Sequence, residues 1–351
     1  MNPPLRSHGH FCTLPAFMKQ SRLGCLTAIL VLALVFSLFI NLILVFSHGS
    51  HSAALGARAV PKFEEQVVQA GQDNNDSKIA MIPLHGIISG GEAGSIGETM
   101  VEDMKLQLQQ AVDDNEVKAI VLCIDSPGGE VTASDIIYNA VLKAKEKKHV
   151  VIYMGSLAAS GGYYISCAGE YLIANETTFT GSIGVIMETL NYQDLFTKVG
   201  LQMQVFKSGK FKDMLSGARQ PTQEEKDYVQ GLVDQTYGKF VGIVAKERKL
   251  DEQKLRTGIA DGRVVSGKDA KEAGLIDALG SVEDAYAKAA ELGAAKGATV
   301  IRYEAPFKLG KLVKLLGQSN EKSKIEVSVA DTLKPKLEAG RLYFLPSFYA
   351  Q

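Results

Sequence analysis

Residues 150–168 combine three features that together leave a chain few options but an α/β fold. A short β-branched and aromatic run is followed by a cluster of very small residues around one hydroxyl, and then at once by a helix. Val150–Met154 reads as a buried strand, which Gly155 and Ser156 are expected to break. Ala158-Ala159-Ser160-Gly161-Gly162 comes next, and Tyr163–Ala168 continues as a helix. A serine on a tight turn between strand and helix, with neighbours too small to cover it, is how a nucleophile is presented. The start of the helix also offers N–H groups to a developing oxyanion. Read as plain structure, Ser160 would cap the helix and the glycines would permit close packing. This stretch alone does not decide between the two readings.

The flanking sequence repeats the strand-then-helix pattern. Lys78–Leu84 reads as a strand, with His85-Gly86 and the glycine-rich Ser89–Gly97 as a loop and Glu102–Val112 as a helix. Ala119–Asp125 is a buried strand running into Ser126-Pro127-Gly128-Gly129, a turn of the kind that leaves backbone N–H groups unpaired. Thr132–Lys148 is an amphipathic helix that ends in lysines, as the helix dipole favours. Alternation of this kind predicts an α/β fold with largely parallel strands. Further on, the patterns predict a helix over Asn191–Val199, a strand over Gln202–Phe206 and a loop over Ser208–Asp213. They continue with a long helix over Pro221–Arg248, turn-helix-turn over Asp261–Gly280, a helix over Val282–Glu291 and a strand over Thr299–Tyr303. Ile325–Val329 and Leu342–Leu345 are candidate tail strands.

Ahead of this lies Leu26–Phe46, an uncharged apolar run roughly 30 Å long as a helix, one bilayer core. It is longer than the apolar core of a cleavable signal peptide, about 7–15 residues, so an uncleaved anchor is expected. Lys19 and Arg22 precede it, which favours a cytoplasmic amino terminus and an exported carboxyl-terminal part. The expected organisation is a tail over 1–24, an anchor over 25–47, a linker over 48–77, a catalytic domain over 78–305 and an extension over 306–351. Within the linker, Pro61–Ala70 reads as a short helix. Lys308–Leu316 alternates lysine with leucine and valine at helical spacing, a basic face for a membrane surface or an ordinary solvated helix.

A formal net charge of −1 gives no electrostatic ground for nucleic-acid binding. Cys12, Cys25, Cys123 and Cys167 form neither a disulfide framework nor a metal spacing, and there is no HExxH run. No metal and no cofactor are expected. All six histidines (His8, His10, His48, His51, His85 and His149) precede Ser160. His149 is too near in sequence to be placed facing it, while His85 stays open on spacing alone. The other way to activate a serine is a lysine base.

Five blocks then occur in order within residues 78–285: AIVLCIDSPGGEV, YMGSLAASGGYYIS, TGSIGVI, KSGKFKDM and DGRVVSGKDAKEAGLID. Together they resemble the signal peptide peptidases of the SppA type, serine peptidase family S49. The resemblance implies a ClpP/crotonase-like fold, Ser160 as nucleophile and Lys212 as its base. It also implies that Ser182 orients the lysine amine and that Gly129 donates to the oxyanion, with Gly161 as the second N–H donor. Gly128 is assigned to turn geometry, Lys207 to a solvated loop, and Lys210 receives no role. A lysine base must rest neutral, so its pKa must fall by roughly 3 units through burial and neighbouring hydroxyls. Phe206, Phe211 and Met214 are apolar neighbours in sequence.

The long family form fuses two copies and splits the dyad between them, whereas one copy here carries both residues. The short form assembles into homo-oligomeric rings and shares each site between neighbouring subunits. The expected function is a membrane-anchored serine endopeptidase of the cytoplasmic membrane, with its domain on the exported side. Its substrates would be signal peptide remnants and other short apolar peptides. The alternatives are a crotonase-like acyl-CoA enzyme, which export disfavours, and an inactive scaffold, which the presence of both Ser160 and Lys212 disfavours.

Overall fold

The computed structural model describes residues 28–41, 63–72, 75–90, 99–305 and 342–344. The chain divides into two units, Met1–Val60 and Pro61–Gln351. In the first, residues 28–41 form helix α1, with apolar side chains from Ile29 to Ile40 exposed. At 1.5 Å per residue it extends about 21 Å, and among the described residues no helix is long and apolar enough to cross a membrane. The rest of Leu26–Phe46 lies outside the described residues, as do Cys12, Cys25, Lys308–Leu316 and Ile325–Val329.

The second unit runs β1 (Glu64–Gln69), β2 (Lys78–His85), α2 (Met100–Asp113), β3 (Val117–Ser126), β4 (Gly129–Glu130), α3 (Val131–Lys145) and β5 (His149–Ala159). It continues with α4 (Gly161–Ser166), β6 (Tyr171–Ala174), β7 (Phe179–Gly181), α5 (Gln193–Lys198), α6 (Gln223–Arg248) and α7 (Glu252–Thr257). Last come β8 (Val264–Ser266), α8 (Gly267–Glu272), β9 (Ala278–Leu279), α9 (Val282–Leu292), β10 (Thr299–Glu304) and β11 (Tyr343–Phe344). The main sheet has the order β1-β10-β2-β3-β5-β6-β9, with β7 paired to β5 and β8 to β7. From β10 to β9 every pairing is parallel, while β1 and β8 are antiparallel additions. The helical crossovers make this inevitable, since a helix carries the chain back to start the next strand in the same direction.

Two apolar layers flank the sheet. Successive side chains of a strand point to opposite faces, so Ile120, Leu122 and Ile152 join one core, with Tyr163 of α4 and Phe240 of α6. Val121 and Val151 join the other, against Ala285 and Ala289 of α9. Cover on both faces is why β3 is buried almost throughout and reads as an unbroken apolar run.

Three expectations are corrected. Pro61–Ala70 holds a strand, β1, in place of the helix, inside the stretch read as linker. β1 is held by antiparallel pairing with β10, and Phe63 beside it is clamped by Gln110, which accepts from its N–H at 2.8 Å and donates to its carbonyl at 3.0 Å. A distant partner here overrides local preference. Gly155 and Ser156 do not break β5, which runs on to Ala159. A shift of register against β3 absorbs the irregularity, Asp125 Oδ1 accepts from Leu157 N–H at 3.1 Å, and Thr178 Oγ1 donates to the Gly155 carbonyl at 2.7 Å. Gln202–Phe206 forms no strand, and Phe206 is 96% exposed. β-propensity without a neighbouring strand makes no ladder.

Ile152 is fully buried at the centre of β5. Ile152→Ala is expected to cost about 2–5 kcal/mol in denaturant unfolding. Val67→Ala on exposed β1 should stay within about 0.5 kcal/mol.

Candidate active site

β5 delivers Ser160 to the carboxyl edge of the sheet. Its φ is +53° and ψ −113°, a conformation that non-glycine residues rarely adopt and that persists only where surroundings enforce it. They do so here. Ser160 N–H donates to the Gly181 carbonyl at 2.8 Å, and its own carbonyl accepts from Tyr164 N–H at 2.8 Å. The side chain makes no capping bond to α4, which removes the plain reading of Ser160 as a helix cap. Its Oγ is buried, 1% of the residue being exposed, and has no hydrogen-bond partner among the described residues. Leaving a buried hydroxyl unpaired costs about 1–3 kcal/mol, a cost that makes sense for a group reserved for another atom.

Beside Ser160 the turn after β3 closes tightly on the start of α4. A Cβ on Gly128, whose φ is +103°, would sit 2.6 Å from the Gly161 nitrogen and 3.1 Å from the Ala159 carbonyl oxygen. A Cβ on Gly161 would sit 2.6 Å from Ser134 Oγ and 3.2 Å from the Gly129 nitrogen. Only glycine lets these backbones meet, and their meeting brings the Gly129 nitrogen close to Gly161, the residue that follows Ser160. Gly128 N–H is occupied by Ser126 Oγ at 3.0 Å, as suits a turn residue.

Ser182 is brought to the same place. It follows Gly181, which pairs with Ala159, and it is buried with φ +49° and its N–H on the Arg263 carbonyl at 2.8 Å. Lys212 is not. It lies exposed on a turn after Gly209, and its side chain has no hydrogen bond or ion pair among the described residues. The other two lysines of its block are engaged: Lys207 binds Asp213 at 2.6 Å, and Lys210 pairs with Glu224 over the Phe211 ring.

Sequence reasoning missed the clamp that holds this block. Arg219 reaches Asp213 Oδ1 at 2.7 Å and Glu225 Oε2 at 2.8 Å, and Glu225 closes a capping box with Thr222 at the start of α6. Arg219 and Lys207 hold the Asp213 carboxyl well below its ordinary range. Arg219, helped by the Thr222 amide, pulls Glu225 down to about 2. The Thr-x-x-Glu spacing of a capping box was the available signal.

The histidine alternatives do not reach the serine. His149 binds Glu170 at 2.7 Å at the start of β5, the end remote from Ser160. His85 lines a cavity of about 540 Å³ with Cys123, Asp125 and Ser156, and Ser160 is not in its wall. Burial pushes the Cys123 and Cys167 thiols up to about 12, so neither is a ready nucleophile.

Because both carboxylates are depressed, the Arg219 clamp is whole at neutral pH, weakens below the ordinary 4.5 of Glu225 and is lost as pH falls through about 2. Arg219→Ala is expected to raise the Glu225 pKa toward that ordinary value in carboxyl NMR. It should also speed tryptic cutting within 207–219 several-fold at neutral pH.

The family model for peptidase family S49 matches residues 142–296, and that for Clp protease matches residues 84–177. A provisional signal peptide peptidase, SppA, of Enterococcus faecium is 37% identical over 245 residues, 68% of this chain and 70% of that protein. A provisionally named protease of Methanocaldococcus jannaschii is 40% identical over 190 residues, 54% of this chain and 61% of its own length. Protease 4 of Salmonella typhi is 37% identical over 221 residues, 62% of this chain but only 35% of that protein. With a ClpP-like α/β sheet and a small-residue turn presenting a bare serine, the chain belongs to peptidase family S49.

Proposed function

We propose that the chain is a membrane-anchored serine endopeptidase whose site is completed between two copies, Ser160 from one and Lys212 from its neighbour. The observation that carries the reading is the buried Ser160 hydroxyl, without a partner among the described residues, on a positive-φ turn against which Gly128 and Gly129 pack. Ser160 Oγ attacks a peptide carbonyl, and the Lys212 amine takes the hydroxyl proton and passes it to the departing amine. The two glycine N–H groups hold the oxyanion, and Ser182 orients the lysine. Water then frees the acyl-serine by the same route.

A neutral lysine requires burial, and Lys212 is exposed in a single chain. A second copy would supply that burial. Leu195, Val199, Leu201, Met203 and Phe206, all more than half exposed, line the segment leading to the lysine block. An apolar surface of this kind marks an interface. The apolar run Leu26–Phe46 supports anchoring, and Lys19 and Arg22 support an exported domain. Peptides left in the membrane after signal-peptide cleavage, and other short apolar segments, fit that placement. An acyl-CoA enzyme would have no use for the lysine block, and an inert scaffold none for the bare hydroxyl.

Ser160→Ala, Lys212→Ala and Lys212→Arg are each expected to lower hydrolysis of a fluorogenic apolar peptide by about 10³-fold or more, since arginine stays charged. Activity should fall toward acid pH as the lysine protonates. Co-expression of Ser160→Ala with Lys212→Ala should restore about one site in four under random mixing. Near-normal single variants, or hetero-assemblies without recovery, would overturn the dyad or its sharing. In cells stripped of outer layers, added protease should reach the domain after Lys78 and spare the first two dozen or so residues; the reverse pattern inverts the topology.

A further inference from the structure

The turn that carries Gly129 is held by two anchors. One is Ile88, whose N–H donates to the Gly128 carbonyl at 2.8 Å and whose carbonyl accepts from Glu130 N–H at 2.8 Å. Alternate backbone groups of an extended chain point to opposite sides. Gly129's own N–H therefore points away from Ile88, to the side on which β11 pairs with it. The other anchor is a single bond: Ser126 Oγ accepts from Gly128 N–H at 3.0 Å.

Ser126 stands where three elements meet. It ends β3, its register partner is Ala158 of β5, and it is fully buried. A Cβ on Gly162 of α4 would sit 2.9 Å from the Ser126 carbonyl oxygen and 3.6 Å from its Cβ, so the helix that follows Ser160 lies directly on it. The hydroxyl thus ties the turn to the frame that fixes Ser160. Without that tie the turn has a hinge. Pro127 fixes its own φ but leaves its ψ open, and glycine takes either sign of φ. Type I and type II turns differ by a flip of the peptide between their two middle residues, here Pro127 and Gly128. The φ of +103° at Gly128 has the positive sign that a type II turn requires, and a hydroxyl two residues earlier that accepts the Gly128 N–H holds the peptide in that orientation. The direction of the next N–H along, that of Gly129, depends on this φ.

We propose that Ser126 is a positioning residue of the peptidase site: its hydroxyl locks the Pro127–Gly128 peptide and so aims the Gly129 N–H at the oxyanion. The proposal rests on the peptidase reading above. Ser126 touches neither substrate nor reacting atoms, and acts through Gly128 and Gly129. An oxyanion donor stabilises the transition state most when it is in place before charge develops, and a turn that samples two orientations is without it part of the time. Loss of the lock therefore lowers catalysis by less than outright removal of a donor, which costs about 10²–10³-fold.

In the full-length protein, Ser126→Ala is expected to lower kcat on the fluorogenic apolar peptide by about 10- to 100-fold and to leave KM within about two-fold. The aldehyde and the alcohol of one apolar tripeptide separate aiming from packing. Ser160 Oγ adds to the aldehyde carbon and its proton passes to the lysine amine, which leaves a charged oxygen where the oxyanion forms. The alcohol binds without forming one. Inhibition by the aldehyde should weaken in Ser126→Ala by the factor lost from kcat, and inhibition by the alcohol should stay as in wild type. Ser126→Cys, of similar shape but a weak acceptor, should fall between the two, and it serves where the alanine variant does not fold. Equal loss of aldehyde and alcohol makes Ser126 a packing residue and overturns the proposal, as does a variant with wild-type kcat; both leave the peptidase reading standing. A wild type inert toward the peptide and indifferent to the aldehyde overturns both.

Discussion

β5 changes partners halfway along its length, and the site follows from that. Val151–Met154 pair with β6, whereas Leu157–Ala159 pair with β7. The sheet parts between them, and the strand leaves its last pairing at Ala159 with Gly181 alongside. Ser160 N–H completes the contact by donating to the Gly181 carbonyl. A chain held on a strand up to that point, and required to begin a helix at the next residue, has little freedom left, so the positive φ of Ser160 is imposed from both ends. The energetic cost of the turn is carried by the cores on the two faces of the sheet, not by the turn itself.

Much of this was readable in advance because the determinants were local. Ala119–Asp125 announced a strand by composition, Pro127-Gly128-Gly129 a turn, and Ala158–Gly162 a turn whose residues are too small to cover its hydroxyl. What could not be read depended on partners far away in sequence. Glu64–Gln69 is a strand because Thr299–Glu304 offers it an edge, and β5 survives Gly155 because Asp125 and Thr178 bind across it. Conversely, Gln202–Phe206 has the residues of a strand and lacks the neighbour. The resemblance supplied the assignment of Ser182 and Lys212, and spacing alone would have left His85 in contention.

The Lys212 block obeys a different logic from the serine. At Ser160 both backbone groups are committed and the hydroxyl is left bare. Around Lys212 the neighbours are committed to salt bridges with Asp213, Glu224 and Glu225, and one lysine side chain is left exposed. The clamp by Arg219 does not touch that side chain. It fixes the turn on which that side chain stands.

The pairing of β1 with β10 places Glu64 opposite Glu304, so the described chain enters and leaves the sheet at one corner. Residues 306–341 are the whole of the connection from that corner to Leu342, at most about 130 Å of extended chain. An occupant tethered in this way does not obey the dilution that governs a free peptide. Its effective concentration is set by the length of the connection and is on the order of millimolar for short tethers. How often a displaced Leu342–Phe344 meets Glu130 and Gly129 again is therefore set by the length of one stretch of sequence.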